Sequence, residues 1–142
     1  MSKLSSLMLA ISRCNSQYRA EIMAQWNLKG IHTSYLLHIC SHPGISQENL
    51  AQRMYINKSN VARQAAVLEE AGYITRQLSA TDKRVLELYP TDKARELVPQ
   101  IRAQLERWND LVAADLSPEE VESLTQLLEK MKDKAAQWMN EH

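Results

Sequence analysis

The chain has 142 residues, of which 44% are hydrophobic and 24% charged, and its 17 basic and 17 acidic side chains give no net charge. This length allows one domain, or a small domain with an oligomerisation element. No apolar run approaches the roughly 20 residues that span a membrane, and residues 4–11 lack the features of a signal peptide. We therefore expect a cytoplasmic protein without a membrane partner.

The charges are distributed unevenly along the chain. Residues 53–84 carry six basic and three acidic side chains, whereas residues 85–142 carry seven basic and twelve acidic ones. A positively charged central segment next to an acidic C-terminal half indicates that the central segment binds an anionic partner.

The N-terminal third is predicted to form two helices. Apolar residues recur every three or four positions over residues 3–26, which is typical of one face of a long helix. Gly30 interrupts this pattern, and a second helix, buried on most sides, is predicted over residues 33–41. Turn-forming residues end it at His42-Pro43-Gly44.

Two short helices joined by a tight turn are predicted next. Ser46 is a favourable N-cap for a helix through Met54. After a turn at residues 55–57, Asn57 caps a helix over residues 58–71, and Gly72 supplies the left-handed residue just past its end.

The helix over residues 58–71 has two distinct faces. Val61, Ala65 and Leu68 share one face, which is predicted to be core. Ser59, Arg63 and Ala66 lie opposite, with Asn60 at their flank. A small, polar and basic face is suited to the major groove of DNA, and the alternative is the solvated helix of a protein-binding adaptor.

The remaining residues predict a hairpin and two long helices. Residues 73–78 and 85–89 pair as strands around a polar tip at residues 79–84. Thr91 caps the first helix, and residues 117–120 (SPEE) open the second with an N-cap, a proline and a capping-box glutamate. In this second helix, apolar residues recur at alternating intervals of three and four residues, as in a coiled coil. We expect this helix to join the first helix in an inter-subunit bundle, although it could instead fold back on its own domain.

These elements define a mainly α fold with a small β-hairpin wing, a winged helix-turn-helix with long N- and C-terminal dimerisation helices. Residues 1–32 and 91–142 are assigned to the helical dimerisation region and residues 33–90 to the DNA-binding lobe. The sequence resembles the MarR (multiple antibiotic resistance regulator) family in several segments: Leu50-Ala51, residues 57–61 (NKSNV), residues 68–74 (LEEAGYI), Asp82-Lys83-Arg84 and residues 91–94 (TDKA). Tyr55 departs from the family, which often has glycine in that turn.

The resemblance implies a homodimeric repressor of transcription that binds an inverted repeat in double-stranded DNA. It implies that one helix of each subunit enters a major groove, with Lys58, Ser59, Asn60, Arg63 and Gln64 as the groove-facing candidates. It further implies that Arg84, beside Lys83 on the wing, enters the minor groove and that Asp82 holds it in position. A guanidinium with a fixed partner suits the concentrated negative potential of a narrow minor groove.

The resemblance also implies release from DNA by a small, often aromatic, ligand. Candidate ligand-binding residues lie at the junction of the first two helices: Arg13, Tyr18, His32 and Tyr35. Roles in packing or at the surface explain all four residues at least as well. The sequence offers two other candidate switches, namely metal at His38 and His42, which have the i, i+4 spacing of zinc ligands, and oxidation of Cys14 beside Arg13.

The chain lacks the motifs of an enzyme. It contains no Gly-rich phosphate loop, nucleophile elbow or metalloprotease helix. We therefore expect neither catalysis nor a cofactor nor a bound metal.

Overall fold

The computed structural model describes residues 2–142. Within this range the chain forms a helical protein with a small sheet, as predicted. The elements in chain order are α1 (Ser2–Ala24), α2 (His32–Ser41), β1 (Ile45–Ser46), α3 (Gln47–Met54), α4 (Lys58–Glu70), β2 (Ile74–Leu78), β3 (Leu86–Pro90), α5 (Asp92–Val112) and α6 (Pro118–Glu141).

The predicted helix caps are confirmed. Ser46 and Asn57 each accept a hydrogen bond from the backbone N–H three residues ahead, at 3.0 and 2.8 Å. Ser117 and Glu120 form a reciprocal capping box at the start of α6. Thr91 Oγ1 accepts from the Ala94 N–H at 3.4 Å. These caps satisfy N–H groups that have no partner inside a helix.

The sheet has three strands, where the sequence predicted two. It is antiparallel in the order β1-β3-β2, and Leu88 of β3 pairs with Ile45 on one side and with Arg76 on the other. Strand β1 is only two residues long and directly precedes the N-cap of α3. It therefore anchors the start of α3 to the hairpin of β2 and β3.

Helix boundaries differ slightly from those predicted. Helix α1 ends at Ala24 rather than near Trp26, because the Trp26 N–H bonds to the Met23 carbonyl at 3.1 Å and Asn27 adopts a positive φ of 57°. Helix α4 ends at Glu70, one residue early, and Gly72 has the predicted left-handed conformation at φ 87°.

Contacts divide the chain into two units, the first ending at Leu105 and the second comprising Glu106–His142. The first unit holds the sheet and the hydrophobic core. The buried face of α4 is as predicted, with Val61, Ala65 and Leu68 inaccessible to solvent. The largest fully buried apolar side chains of the unit are Tyr35, Met23, Leu36, Ile39, Leu50, Leu68, Ile74, Leu88 and Ile101.

Helices α1 and α6 each expose several large apolar side chains in the single chain. In the first unit, the N-terminal half of α1 exposes Leu4, Leu7, Met8, Leu9 and Ile11. In the second unit, α6 has no buried residue. The large apolar side chains that α6 exposes are Val121, Leu124, Leu127, Leu128, Met131, Trp138 and Met139. Over residues 2–142, no helix combines the length and apolar character needed to cross a bilayer.

Candidate nucleic-acid interface

The first turn of α4 presents a cluster of polar and basic side chains. Asn57 Oδ1 accepts from the Ser59 hydroxyl and from the Asn60 N–H, both at 2.8 Å. Arg63 donates to the Asn60 side-chain oxygen. Lys58 forms an ion pair with Glu48 of α3, with 2.9 Å between Nζ and Oε1. The structure therefore brings four of the five predicted groove residues together at one end of α4.

Gln64, the fifth groove candidate, has a different environment. It is half-buried, and its Oε1 lies 2.7 Å from Nε2 of His32. His32 is the first residue of α2 and is 1% exposed. One end of the Gln64 amide is therefore turned toward the protein interior.

The tip of the hairpin carries an arginine held by a neighbouring carboxylate. Asp82 accepts from the Arg84 backbone N–H at 3.0 Å, from Nε at 3.1 Å and from Nη2 at 3.3 Å. The side chain of Arg84 is nevertheless 90% exposed. The hydrogen bonds from Arg84, through its side chain and then its backbone, hold the pKa of Asp82 below its usual value. The exposed Lys83 lies between the two residues.

Sequence reasoning missed the residue that shapes this tip. Ser79 is buried, and its Oγ accepts from the backbone N–H groups of Thr81 and Asp82, both at 3.3 Å. The Ser79 N–H in turn donates to the Val85 carbonyl at 2.9 Å. A serine followed by a polar run is the only sequence signal of this turn, because small hydroxyl residues often bond to nearby backbone groups.

A second ion pair connects α4 to the hairpin. Glu69 accepts from the Arg76 backbone N–H at 3.0 Å and from its Nε at 3.1 Å. These bonds, the backbone one first, lower the pKa of Glu69. Lys93 of α5 donates to the Ala71 carbonyl at 2.8 Å and lies over the Tyr73 ring. The junction fixes the hairpin relative to α4.

The four predicted ligand-binding residues have different surroundings. Arg13 is exposed, Tyr18 donates its hydroxyl to the Gln104 carbonyl at 2.9 Å, and His32 and Tyr35 are buried with their ring centroids 6.4 Å apart. A cavity of about 490 Å³ lies between α1 and the start of α2. Its lining residues are Asn15, Ser16, Arg19, Ala20, Gly30, Ile31 and Ser34.

The geometry gives little support to the other two candidate switches, metal binding at His38 and His42 and oxidation of Cys14. His42 lies beyond the end of α2 with φ −134° and ψ 67°, so it does not share a helical face with His38. Residues 2–142 contain no cluster of three or more His, Cys, Asp or Glu side chains arranged for a metal. Cys14 is exposed and Cys40 is half-buried, and burial raises the pKa of the Cys40 thiol.

Comparisons with known proteins agree with this architecture. The MarR family sequence model matches residues 26–85. The chain is 30% identical to the uncharacterized HTH-type transcriptional regulator YybA of Bacillus subtilis (strain 168) over 98 residues, which are 69% of this chain and 65% of that protein. The chain therefore spans slightly less than two thirds of this relative.

Solved structures are similar over nearly the whole chain. The MarR protein from Peptoclostridium difficile DA00132 is 25% identical, with a TM-score of 0.94, and the match covers 97% of this chain and 90% of that one. A protein described as a MarR family transcriptional regulator from Listeria monocytogenes, solved as a complex with 26mer DNA, is 27% identical. Its TM-score is 0.89, and the match covers 93% of this chain and 88% of that one.

The capped helix after a tight turn and the hairpin that follows it define a winged helix-turn-helix protein. The sequence match and the structural similarity together narrow the class of protein further. The chain is similar to MarR family transcriptional regulators, in sequence over residues 26–85 and in structure over nearly its whole length.

Proposed function

We propose that this protein is a cytoplasmic, homodimeric repressor that binds an inverted repeat in duplex DNA and is released by a small ligand. In this proposal, the first turn of α4 enters the major groove and the tip of the β2–β3 hairpin enters the minor groove. The observation that carries the proposal is the exposed Arg84 guanidinium, already oriented by Asp82.

The N-terminal half of α4 supports insertion into the major groove. Lys58, Ser59 and Arg63 are exposed on it, while Val61 and Ala65 are buried against the core. The side chains that meet DNA are therefore separate from those that hold the helix. Arginine and asparagine side chains recognise guanine and adenine edges, and lysine binds phosphate.

The hairpin supports contact with the minor groove. An arginine that already has a fixed carboxylate partner loses less conformational freedom when it binds. The Listeria monocytogenes relative was solved with DNA, which is consistent with the same use of the fold in this chain.

The exposed apolar faces support a homodimer. Each of α1 and α6 exposes at least five large apolar side chains, more than isolated surface hydrophobics would account for. A second copy of the chain would cover the same faces, and a two-fold dimer matches an inverted repeat.

The cavity between α1 and α2 supports release by a ligand. Arg19 Nε is buried there without a hydrogen-bond partner, and its Nη1 donates to Ser34 Oγ at 3.1 Å. Burial lowers the pKa of Arg19. A buried donor without a partner is costly, so a small anionic or phenolic ligand is a suitable occupant.

Selection of bound sequences from a random duplex library tests the DNA-binding proposal. We expect an inverted repeat whose half-site centres lie about one helical turn, ~34 Å, apart. Affinity should fall steeply with salt because phosphate contacts release counterions. Failure to enrich any sequence, together with a flat response to salt, would instead favour the protein-binding adaptor.

A further inference from the structure

The buried link between His32 and Gln64 joins the start of α2 to α4. Nδ1 of His32 accepts the Lys29 backbone N–H at 3.0 Å, and Nε2 lies 2.7 Å from Gln64 Oε1. A nitrogen that accepts a hydrogen bond carries no proton, so the proton of the neutral ring must be on Nε2. His32 therefore donates to Gln64, and the backbone of Lys29 determines this direction.

The donor at Nε2 determines how the Gln64 amide is oriented. Only the carbonyl oxygen of the amide can accept from it, so Oε1 must face His32 and the amide nitrogen must point away. The amide nitrogen has no hydrogen-bond partner within residues 2–142, and it is not among the buried atoms without a partner. It is therefore not completely buried, and it lies one helical turn after Asn60 on α4.

The geometry points to His32 as a positioning residue that sets the base preference of Gln64. A free glutamine pairs with adenine by accepting from N6 and donating to N7. Because Oε1 faces the buried His32, Gln64 presents its two N–H donors rather than its oxygen to DNA. Guanine presents two acceptors, O6 and N7, on its major-groove edge, so Gln64 should favour guanine over adenine. This inference rests on the proposed binding of α4 in the major groove.

Two substitutions separate the two hydrogen bonds of His32. In His32→Asn, Oδ1 occupies the place of Nδ1 and can still accept from Lys29, but no donor reaches Gln64. In His32→Gln, the amide nitrogen occupies the place of Nε2 and can still donate to Gln64. The pair forms a matched test because each variant keeps one bond and loses the other.

The base preference of each variant is measured by selection from the random duplex library. Gln64→Ala first identifies the contacted base pair, which is the position where selectivity disappears. We expect His32→Asn to raise the affinity for adenine relative to guanine at that position by roughly tenfold, and His32→Gln to keep the wild-type preference. His32→Asn should have no effect on base preference in the Gln64→Ala background.

Several outcomes would overturn the inference. It fails if His32→Asn selects the wild-type sequence at every position, or if both His32 variants lose affinity for all sequences equally, because His32 would then only support the fold. If wild type selects no sequence at all, the proposed function itself fails.

A measurement on the wild-type chain does not depend on the variants folding. The ¹⁵N shifts of the His32 ring report which nitrogen carries the proton. We expect a proton on Nε2 at neutral pH. A proton on Nδ1 would reverse the Gln64 amide and overturn the inference.

Discussion

Asp82 holds the guanidinium of Arg84 with two hydrogen bonds and also accepts the Arg84 backbone N–H. One carboxylate thus fixes both the backbone and the side chain of the residue at the tip of the hairpin. Because 90% of the Arg84 side chain is exposed, this arrangement contributes orientation rather than packing. Its effect should be visible in DNA binding and not in folding.

Replacing Arg84 by alanine should weaken operator binding by roughly tenfold. The loss follows because the variant retains the hairpin but removes the charge that we propose enters the minor groove. A gel-shift titration measures the affinity, and the thermal unfolding midpoint should stay at the wild-type value. Lys83→Ala is the matched control, since it removes a neighbouring charge that Asp82 does not orient, and its loss should be smaller. Wild-type affinity in Arg84→Ala would remove the hairpin from the mechanism.

The features predicted from sequence are those determined by neighbouring residues. Asn57 caps α4 through a bond to Asn60 only three positions away, and the capping box of Ser117 and Glu120 has the same span. Such bonds depend on local spacing, which the sequence displays directly. The buried face of α4, formed by Val61, Ala65 and Leu68, follows from local spacing in the same way.

Two of the features that were missed depend on residues distant in sequence. Strand β1 exists only because Ile45 pairs with Leu88 of β3, and two residues give no periodic pattern. The inward orientation of Gln64 depends on His32, 32 positions earlier. A helical wheel shows the direction of a side chain and not its partner, so it could not distinguish Gln64 from its exposed neighbours on α4.

Tyr55 adopts the left-handed conformation at the end of α3, with φ 58° and ψ 39°. This conformation destabilises a non-glycine residue by roughly 1–2 kcal/mol. Glycine avoids this strain, but its greater flexibility in the unfolded chain offsets part of the gain in stability. We therefore expect Tyr55→Gly to be more stable than Tyr55→Ala by about 1 kcal/mol, as measured by urea unfolding. The two variants lose the same side-chain contacts, so backbone strain is the main difference between them. An alanine variant as stable as the glycine variant would contradict this explanation.

Stability should fall as the pH drops below about 6.5, the usual pKa of histidine. Burial lowers the pKa of His32, and burial followed by the Arg53 charge lowers that of His38. The unfolded chain then takes up protons that the folded chain does not, which favours unfolding by at most about 1.4 kcal/mol per pH unit for each histidine. The lowered pKa values of the Glu69 and Asp82 carboxylates affect the free energy of unfolding only at lower pH, below 4.5. Urea unfolding at pH 7.5, 6.5 and 5.5 measures the slope.

His32→Gln isolates the contribution of this one residue. Its stability should depend less steeply on pH than that of wild type, with the His38 contribution remaining. The slopes are compared rather than the absolute stabilities, because the substitution also removes the bond to Lys29. Equal slopes in the two proteins would show that the pKa of His32 is the same in the folded and unfolded chains, which would contradict the prediction.

Replacing Leu124 by aspartate should dissociate the proposed dimer. Leu124 lies on α6, which has no buried residue in the single chain, and it is 45% exposed there. If a second copy covers this face, the substitution places a charge in an apolar interface, which is unfavourable unless the charge is paired. Sedimentation equilibrium should show monomers, and affinity for the inverted repeat should fall because two half-sites are no longer bound together. Gln126→Asp is the matched control, since it adds the same charge at an exposed polar position of α6 and should remain dimeric. A dimeric Leu124→Asp variant with wild-type affinity would exclude this face of α6 from the interface.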